Sequence, residues 1–383
     1  PLGIAFLVIL FIPIMTVSGA YTVNSSEMVG GLGIQSEHIA FISFVTSIGM
    51  AAFSPFFYSL VSVRRQKLMS LVGFSLLAVQ SYICANTDSL FILALNSLIM
   101  GFVRQTLLMC TLFTLIKYGF GIEATRNVSP GNEPTDEAGW DALDTEKKAS
   151  QPIIYFFFML LGQIGTWITA WFAYNYHWQM VYYAMLGAIL VALLITLVCM
   201  PYNPYPTKHS PLSFSKFGNV VVFCIMCCSF VYVTVYGKTY DWFDNASICW
   251  ATVICVVSTL LFIYLEKTRR SPYFMLKAFK SRSIQGGILL FIGLMICNSS
   301  SMLVNIFVGV GMKTDQIQIA ALGNWVLVGY FIGLVTILIL NNKGVHFKWF
   351  FAMGFILIGA ASLFMYFEVQ ADGMLERMKW PVI

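Results

Sequence analysis

Basic residues in this chain alternate from loop to loop between long apolar runs, and that alternation constrains the fold more than any other feature. Eleven runs can be drawn, at 3–23, 39–60, 68–86, 90–117, 152–175, 179–200, 217–236, 247–265, 284–311, 319–341 and 347–367. A helix needs roughly 20 apolar residues to cross a hydrocarbon core. After the first run, the even loops carry Arg64, Arg65, Lys67; Lys117, Arg126, Lys147, Lys148; Lys208, Lys216; Lys267, Arg269, Arg270, Lys277, Lys280, Arg282; and Lys343, Lys348. The odd loops carry only Lys238, Lys313, Arg377 and Lys379, and Arg104 stands inside a run. Lys and Arg near span ends collect on the cytoplasmic side. The reading is an all-α polytopic membrane protein of the cell inner (plasma) membrane, with its even loops inside.

Composition agrees with that reading and narrows what else the chain can be. Apolar residues are 58% of the chain and charged residues 10%, against roughly 45–50% and 25% in soluble domains. The net charge of +5 follows from the basic inner loops, so nucleic acid is not implied as a partner; the lipid bilayer is. Cys224, Cys227 and Cys228 sit close together, but no His or further Cys joins them in their run. They read as small buried hydrophobes, and neither a metal nor another cofactor is expected. No G-x-x-x-x-G-K-[ST] loop is present, which argues against an ATP-driven pump, and no nucleophile–base pairing suggests an enzyme. The chain is expected to be cut at both ends: Pro1 is no initiator, and Trp380-Pro381-Val382-Ile383 resembles the start of another span.

Most connections are short, so consecutive helices should be antiparallel neighbours. The exception is the fourth loop, 118–151, where Glu123, Glu133, Asp136, Glu137, Asp141, Asp144 and Glu146 outnumber the bases. It reads as an acidic, solvated cytoplasmic linker, with Trp140 as a docking anchor in the other reading. Within the basic eighth loop, 274–280 could form a short amphipathic helix on the inner leaflet. Gly162 and Gly165, Gly286 and Gly287, Gly329 and Gly333, and Gly354 and Gly359 suggest close helix approaches.

Three stretches together carry a family likeness. They are Tyr236-Gly237-Lys238 with Asp241-Trp242-Phe243; Ser271-Pro272 with Met275-Leu276-Lys277-Ala278-Phe279-Lys280-Ser281-Arg282; and Gly162-Gln163-Ile164-Gly165-Thr166 followed by His177-Trp178. The chain resembles the 14-span drug:proton antiporter branch of the major facilitator superfamily. The resemblance implies a major facilitator fold with about 11 of 14 spans present. It also implies an N-terminal six-helix bundle over 1–200, a two-helix central insert with the basic loop over 201–283, and a partial C-terminal bundle of three helices over 284–383. Proton-coupled efflux of small amphipathic compounds by alternating access is the activity it implies. A periplasmic adaptor and an outer-membrane duct are partners it permits.

Departures from the family pattern bear on mechanism. The loop between spans 2 and 3 keeps the final pair Arg64-Arg65 of the gating motif, without its Asp or glycines. Gln163 and Thr166 replace the Pro and second Gly of the span-5 motif. Ser18 stands where an Asp is usual in span 1, and Ser97 where an Arg is usual in span 4. The usual proton-coupling carboxylate is therefore absent. Two alternatives stay open: an exporter of an anionic metabolite, and a non-transporting scaffold or sensor that kept the fold.

Polar groups inside apolar runs supply the candidate site. Arg104 lies fourteen residues into its run, roughly 21 Å along the helix at 1.5 Å per residue. A charge at that depth costs at least about 2.5–3.5 kcal/mol and persists facing a partner or a wet cavity. It is either a cavity cation or a structural one bonded to carbonyls. Asn96, Gln163, Trp167 and Trp171 are further substrate-binding candidates, the last three sharing one helix face at i, i+4, i+8. Glu27 and His38, at the outer mouth, are the candidate proton carriers.

Overall fold

The computed structural model describes residues 2–21, 25–53, 56, 66–119, 137–200, 214–268, 279–306, 315–342 and 347–368, and the regular structure among them is wholly helical. Twelve α-helices follow one another: α1 (Leu2–Thr16), α2 (Ser25–Leu32), α3 (Ser36–Ala52), α4 (Gln66–Asn86), α5 (Leu90–Gly119), α6 (Glu137–Asn175), α7 (Trp178–Cys199), α8 (Phe214–Tyr236), α9 (Ala246–Thr268), α10 (Arg282–Ile306), α11 (Gln316–Asn342) and α12 (Phe347–Glu368). Eight of these contain stretches long and apolar enough to cross a bilayer, and α3 and α10 contain shorter apolar stretches. Their outward faces are apolar too: Phe91, Val198 and Leu260 are each more than 60% exposed. Large apolar side chains left outside on helix after helix suit lipid as the solvent. The protein is a multi-pass all-α membrane protein.

Two compact units divide the chain. The first is Pro1–Ala124 with Asn175–Lys280, and the second Thr125–Tyr174 with Ser281–Ile383. The helices read from sequence as a central insert, α8 and α9, thus share a unit with α1–α5 and α7, while α6 shares one with α10–α12. Arg64 and Arg65, and most of the 274–280 segment, lie outside the described residues.

In the first unit α5 is the central helix: α1, α3 and α4 all pack on it, α7 packs on α4 and α1, and α8 packs on α3 and α9. The α3–α5 crossing is a backbone-to-backbone contact. A Cβ added at Gly49 would lie 2.0 Å from the Leu98 carbonyl oxygen, and one at Gly101 would lie 2.0 Å from that of Thr46. Only glycine lets the two backbones come this close. By contrast, a Cβ at Gly162, Gly286, Gly287, Gly333, Gly354 or Gly359 would meet nothing within 4 Å among the described residues. Spacing along one helix therefore did not identify close approaches at these six. A close approach is a property of two helices, and Gly49 and Gly101 are on different ones.

Cross-ties between helices sort by end. Lys67 Nζ donates to the Leu197 carbonyl at 2.8 Å, joining the start of α4 to the end of α7. At the opposite end Tyr183 donates to Asn86 Oδ1 at 2.9 Å, and Thr239 donates to a Glu37 oxygen at 3.3 Å. Antiparallel helices with short connections bring alternate loops to one side, as the basic loops require.

The α8–α9 hairpin turns tightly. Trp242 N–H donates to the Gly237 carbonyl at 2.6 Å, and its ring covers Gly237, where a Cβ would sit 2.7 Å from it. Asp241 and Trp242 take left-handed φ of 51° and 55°, a conformation L side chains adopt uncommonly. Near the other end of the hairpin, Asn219 Nδ2 donates to Glu266 Oε1 at 3.0 Å, and Glu266 is only 5% exposed. Removing one partner of a buried hydrogen bond costs about 1–3 kcal/mol. Asn219→Leu should lower the thermal unfolding midpoint of the detergent-purified protein, and an unchanged midpoint would show that this bond contributes nothing.

The second unit contains the longest helix, α6, of 39 residues. It starts at Glu137, so the second half of the supposed acidic linker is helical and continuous with the fifth span. Ala138, Ala142, Ala149, Glu146, Lys147 and Lys148 are good helix formers, and Asp144 and Lys148 have i, i+4 spacing. Polarity made this stretch look like loop, whereas propensity makes it helix. In the same unit α6 meets α11 through Phe156 and Phe331, with ring centroids 5.8 Å apart.

Candidate functional site

The first apolar run, expected to be one helix over 3–23, is helical only as far as Thr16 among the described residues. α1 stops at Thr16, residues 17–21 are not helical, and α2 starts afresh at Ser25. Pro13 lies inside α1 and removes one backbone donor from its ladder. The interrupted stretch is buried: Val17 is 0% exposed and Ala20 2%. Non-helical backbone at membrane depth survives only where the protein satisfies its polar groups or lines a cavity with them.

Side chains from α5 and α7 supply that satisfaction. Arg104, on α5, donates from a terminal guanidinium nitrogen to the Met15 carbonyl at 2.5 Å. Tyr182, on α7, donates from its hydroxyl to the Gly19 carbonyl at 2.8 Å. A cation on the last carbonyls of a helix also complements the helix dipole. Tyr182 is itself clamped, since Ser81 donates to its carbonyl at 2.9 Å and its ring meets Trp178 edge-on with centroids 6.1 Å apart. On its other side is Tyr21, with centroids 5.1 Å apart.

Close packing shapes the break as much as hydrogen bonding does. A Cβ at Gly19 would fall 1.7 Å from Ser97 Oγ and 3.2 Å from Ser97 Cα. Gly19 therefore rests directly on α5 at Ser97, whose hydroxyl turns back to the Leu93 carbonyl at 2.6 Å. Ser97, which stands where the family likeness leads one to look for an Arg, thus meets the chain at Gly19, next to the Ser18 that stands where an Asp is usual. Arg104, farther along α5, is the cation that this chain places there.

Arg104 is half-buried, and among the described residues no carboxylate pairs with it. The Tyr21 hydroxyl is buried and makes no hydrogen bond of ordinary length and angle, although the Ser18 backbone approaches it. A guanidinium carries five N–H donors, of which the Met15 carbonyl takes one.

The other residues singled out from sequence are placed as follows. Asn96 is 7% exposed, and its amide nitrogen is committed to the Gln80 carbonyl at 2.9 Å and Cys84 Sγ at 3.0 Å, tying α5 to α4. Gln163 and Trp167 do share a face, and both hold α6 to α11. Gln163 Nε2 donates to the Ala320 carbonyl at 2.8 Å, with its amide in the gap left by Gly323. Trp167 Nε1 donates to Asn324 Oδ1 at 2.9 Å. Trp171 is 47% exposed and meets Phe172 edge-on with centroids 5.0 Å apart. Arg104 and Asn96 belong to the first unit, and Gln163, Trp167 and Trp171 to the second.

Glu27 is exposed on α2. His38 is half-buried, its Nδ1 2.5 Å from the Tyr236 hydroxyl. Tyr236 in turn stacks on Tyr240 with centroids 5.7 Å apart. The imidazole thus belongs to an aromatic tie between α3 and α8. Tyr21 and Tyr182 were missed from sequence. Their signal was slight: two tyrosines in apolar surroundings, one of them just after Ser18-Gly19.

No family model matches the chain, and no curated protein matches it. Two solved structures of the nucleoside transporter NupG are similar to it. A mutant form is 14% identical, with a TM-score of 0.44, and the unmodified protein is 13% identical, with a TM-score of 0.40. Each alignment covers 100% of this chain and 88% of the other. Likeness of this degree identifies neither a family nor a substrate.

Proposed function

We propose that this chain is a secondary active transporter of the inner membrane with a major facilitator fold, exporting small amphipathic compounds by alternating access at the expense of the proton gradient. The observation that carries the reading is the break in the first apolar run, with a cation lodged against it. Discontinuous membrane helices, whose freed backbone groups and half-helix ends face substrates or ions, are a recurrent way to build transport sites. Arg104, half-buried and without a paired carboxylate among the described residues, is the cation proposed to face the path. Trp171, exposed on α6, is proposed as an aromatic contact for substrate.

Proton coupling would have to use groups other than a span-1 carboxylate. His38 is the better placed of the two candidates. Its Nδ1 meets the Tyr236 hydroxyl, and an imidazolium can only donate there, so a proton carried on His38 would bear on the α3–α8 tie. Glu27, exposed at the start of α2, has no comparable link to a helix contact among the described residues. A periplasmic adaptor and an outer-membrane duct would extend export beyond the inner membrane, and an adaptor gene beside this one would support such an assembly.

The test is accumulation of a lipophilic dye by cells carrying the full-length gene. Cells expressing it should hold several-fold less dye than cells without it, and a protonophore should erase the difference. Equal accumulation for every dye, with the protein confirmed in the membrane, would favour a non-transporting scaffold or sensor.

A further inference from the structure

We propose that the seam between α6 and α11 faces water at Asn324, whose amide nitrogen donates to the neutral oxygen or nitrogen acceptors of a passing solute. The inference deepens the transport reading by naming a contact and the chemistry it selects, and every residue in it belongs to the second unit.

Asn324 sits at membrane depth. It lies seven residues into the apolar stretch Ile317–Leu340, and Trp167 lies eight residues before the end of Phe156–Asn175. At 1.5 Å per residue Asn324 is roughly 10 Å along its span, inside a hydrocarbon core about 30 Å thick.

The amide is also oriented. Trp167 Nε1 donates to Asn324 Oδ1 at 2.9 Å. An indole nitrogen can only donate, so Asn324 must turn its oxygen to Trp167 and its NH2 group elsewhere. Among the described residues that NH2 group makes no hydrogen bond. The neighbouring turn is locked: Gln163 Nε2 donates to the Ala320 carbonyl at 2.8 Å, and a Cβ at Gly323 would fall 2.3 Å from that same nitrogen. Two ties, one on each side of Gly323, hold α11 to α6 and fix the direction of the amide.

What the NH2 group faces follows from its exposure. Large exposed side chains on α11 and α12, such as Val328, Ile332 and Ile356, are apolar and suit lipid. Asn324 is exposed as well, yet it carries two N–H donors. In hydrocarbon a primary amide without partners bears its full desolvation cost. Polar side chains at this depth therefore face protein or a water-filled cavity, and an exposed one is left with water. Gln163, Trp167 and Asn324 are all uncharged, and the Asn324 oxygen is already engaged. The seam accordingly offers donors alone and selects neutral acceptors such as a carbonyl, an ether or a ring nitrogen. Trp171, one turn along α6 from Trp167 and 47% exposed, gives the apolar part of such a solute a flat surface.

The experiment uses the full-length protein in its own membranes. Asn324→Cys and Ile356→Cys are each treated with a charged, membrane-impermeant methanethiosulfonate, and the labelled peptide is identified by mass, so the native cysteines do not interfere. The reactive species is the thiolate, which apolar surroundings suppress. Asn324→Cys should be labelled at least about tenfold faster than Ile356→Cys. If Asn324→Cys does not fold, Asn324→Asp decides: it keeps an oxygen for Trp167, and its yield should match the parent while that of Ile356→Asp should collapse. A second arm reads thermal unfolding midpoints in detergent with 4-phenyl-2-butanone and with butylbenzene, which lacks the carbonyl. The parent should respond to the ketone at about threefold lower concentration or better, and Asn324→Leu should respond to both alike. Labelling no faster than at Ile356, a collapsed yield of Asn324→Asp, or a ketone preference absent from the parent or retained in Asn324→Leu would overturn the proposal. Dye export is scored separately. Fast labelling and ketone preference without export would remove the transport reading and leave the wet seam standing, whereas export with slow labelling would do the reverse.

Discussion

Gly101→Val is expected to leave little folded protein in the membrane. The substituted Cβ would sit 2.0 Å from the Thr46 carbonyl oxygen and 3.0 Å from the Met50 nitrogen, both backbone atoms of α3. No rotamer change relieves a clash with backbone, so α3 and α5 would have to separate along their crossing. Overpacking in a well-packed interior costs about 1–3 kcal/mol, occasionally more, and a clash that moves a whole helix belongs at or above the top of that range. That is a large part of the roughly 5–15 kcal/mol by which native proteins are stable. Because α5 also carries α1 and α4, the loss should spread through the first unit. Gly359→Val is the control, since a Cβ there meets nothing within 4 Å among the described residues. Detergent-solubilised yield of monodisperse protein measures both. Equal yields would mean that α3 and α5 do not cross at these glycines.

Gly19→Ala should be nearly as damaging to the site and, unlike the first change, repairable. Its methyl group would fall 1.7 Å from Ser97 Oγ and 2.5 Å from Ser97 Cβ. The hydroxyl could rotate away, but the Cβ could not. The 17–21 stretch would lift from α5, carrying the Gly19 carbonyl away from the Tyr182 hydroxyl. Loss of about 2–3 kcal/mol is expected from the clash and the broken hydrogen bond together. Ser97→Gly removes both offending atoms, so the double variant Gly19→Ala with Ser97→Gly should recover most of what the first lost. Residues in direct contact show such coupling, and distant ones add independently. Thermal unfolding midpoints of the four proteins complete the cycle. Simple additivity would show that Gly19 does not rest on Ser97.

The membrane class was legible because it depends on quantities that survive without a fold. Hydrocarbon asks for apolar length, and the positive-inside bias is written into loops one at a time. Lys67 and the Leu197 carbonyl meeting at one end of the first unit fit that bias, as do Glu37 and Thr239 meeting at the other. Gln163 and Trp167 were also legible as a pair, because i, i+4 spacing holds on any helix. What spacing cannot say is which neighbour they face. They bind the Ala320 carbonyl and Asn324, so their polar atoms serve a helix contact. Asn96 likewise looked like a path-lining amide until α4 was placed beside it.

Local sequence misled where two signals opposed one another. Acidic residues after 136 spoke for loop and their helix propensity spoke for helix. The helix runs from Glu137 without a stop into the fifth span. In the first run hydropathy alone spoke for a continuous span, while Pro13 and Ser18-Gly19 were the only hints of a break.

By itself, then, the order of residues determined that this protein lives in a bilayer as a bundle of membrane-crossing helices, and that one cation stands within an apolar run. Tertiary structure alone decided that Arg104 meets the end of a broken helix, that Tyr21 and Tyr182 flank the break, and that Gly49 and Gly101 carry the closest helix crossing. The physical reason is the range of the forces. Transfer into lipid acts residue by residue and sums along the chain. A hydrogen bond or a steric contact needs two atoms within a few ångströms, and those pairs are separated here by 89, 163 and 52 positions.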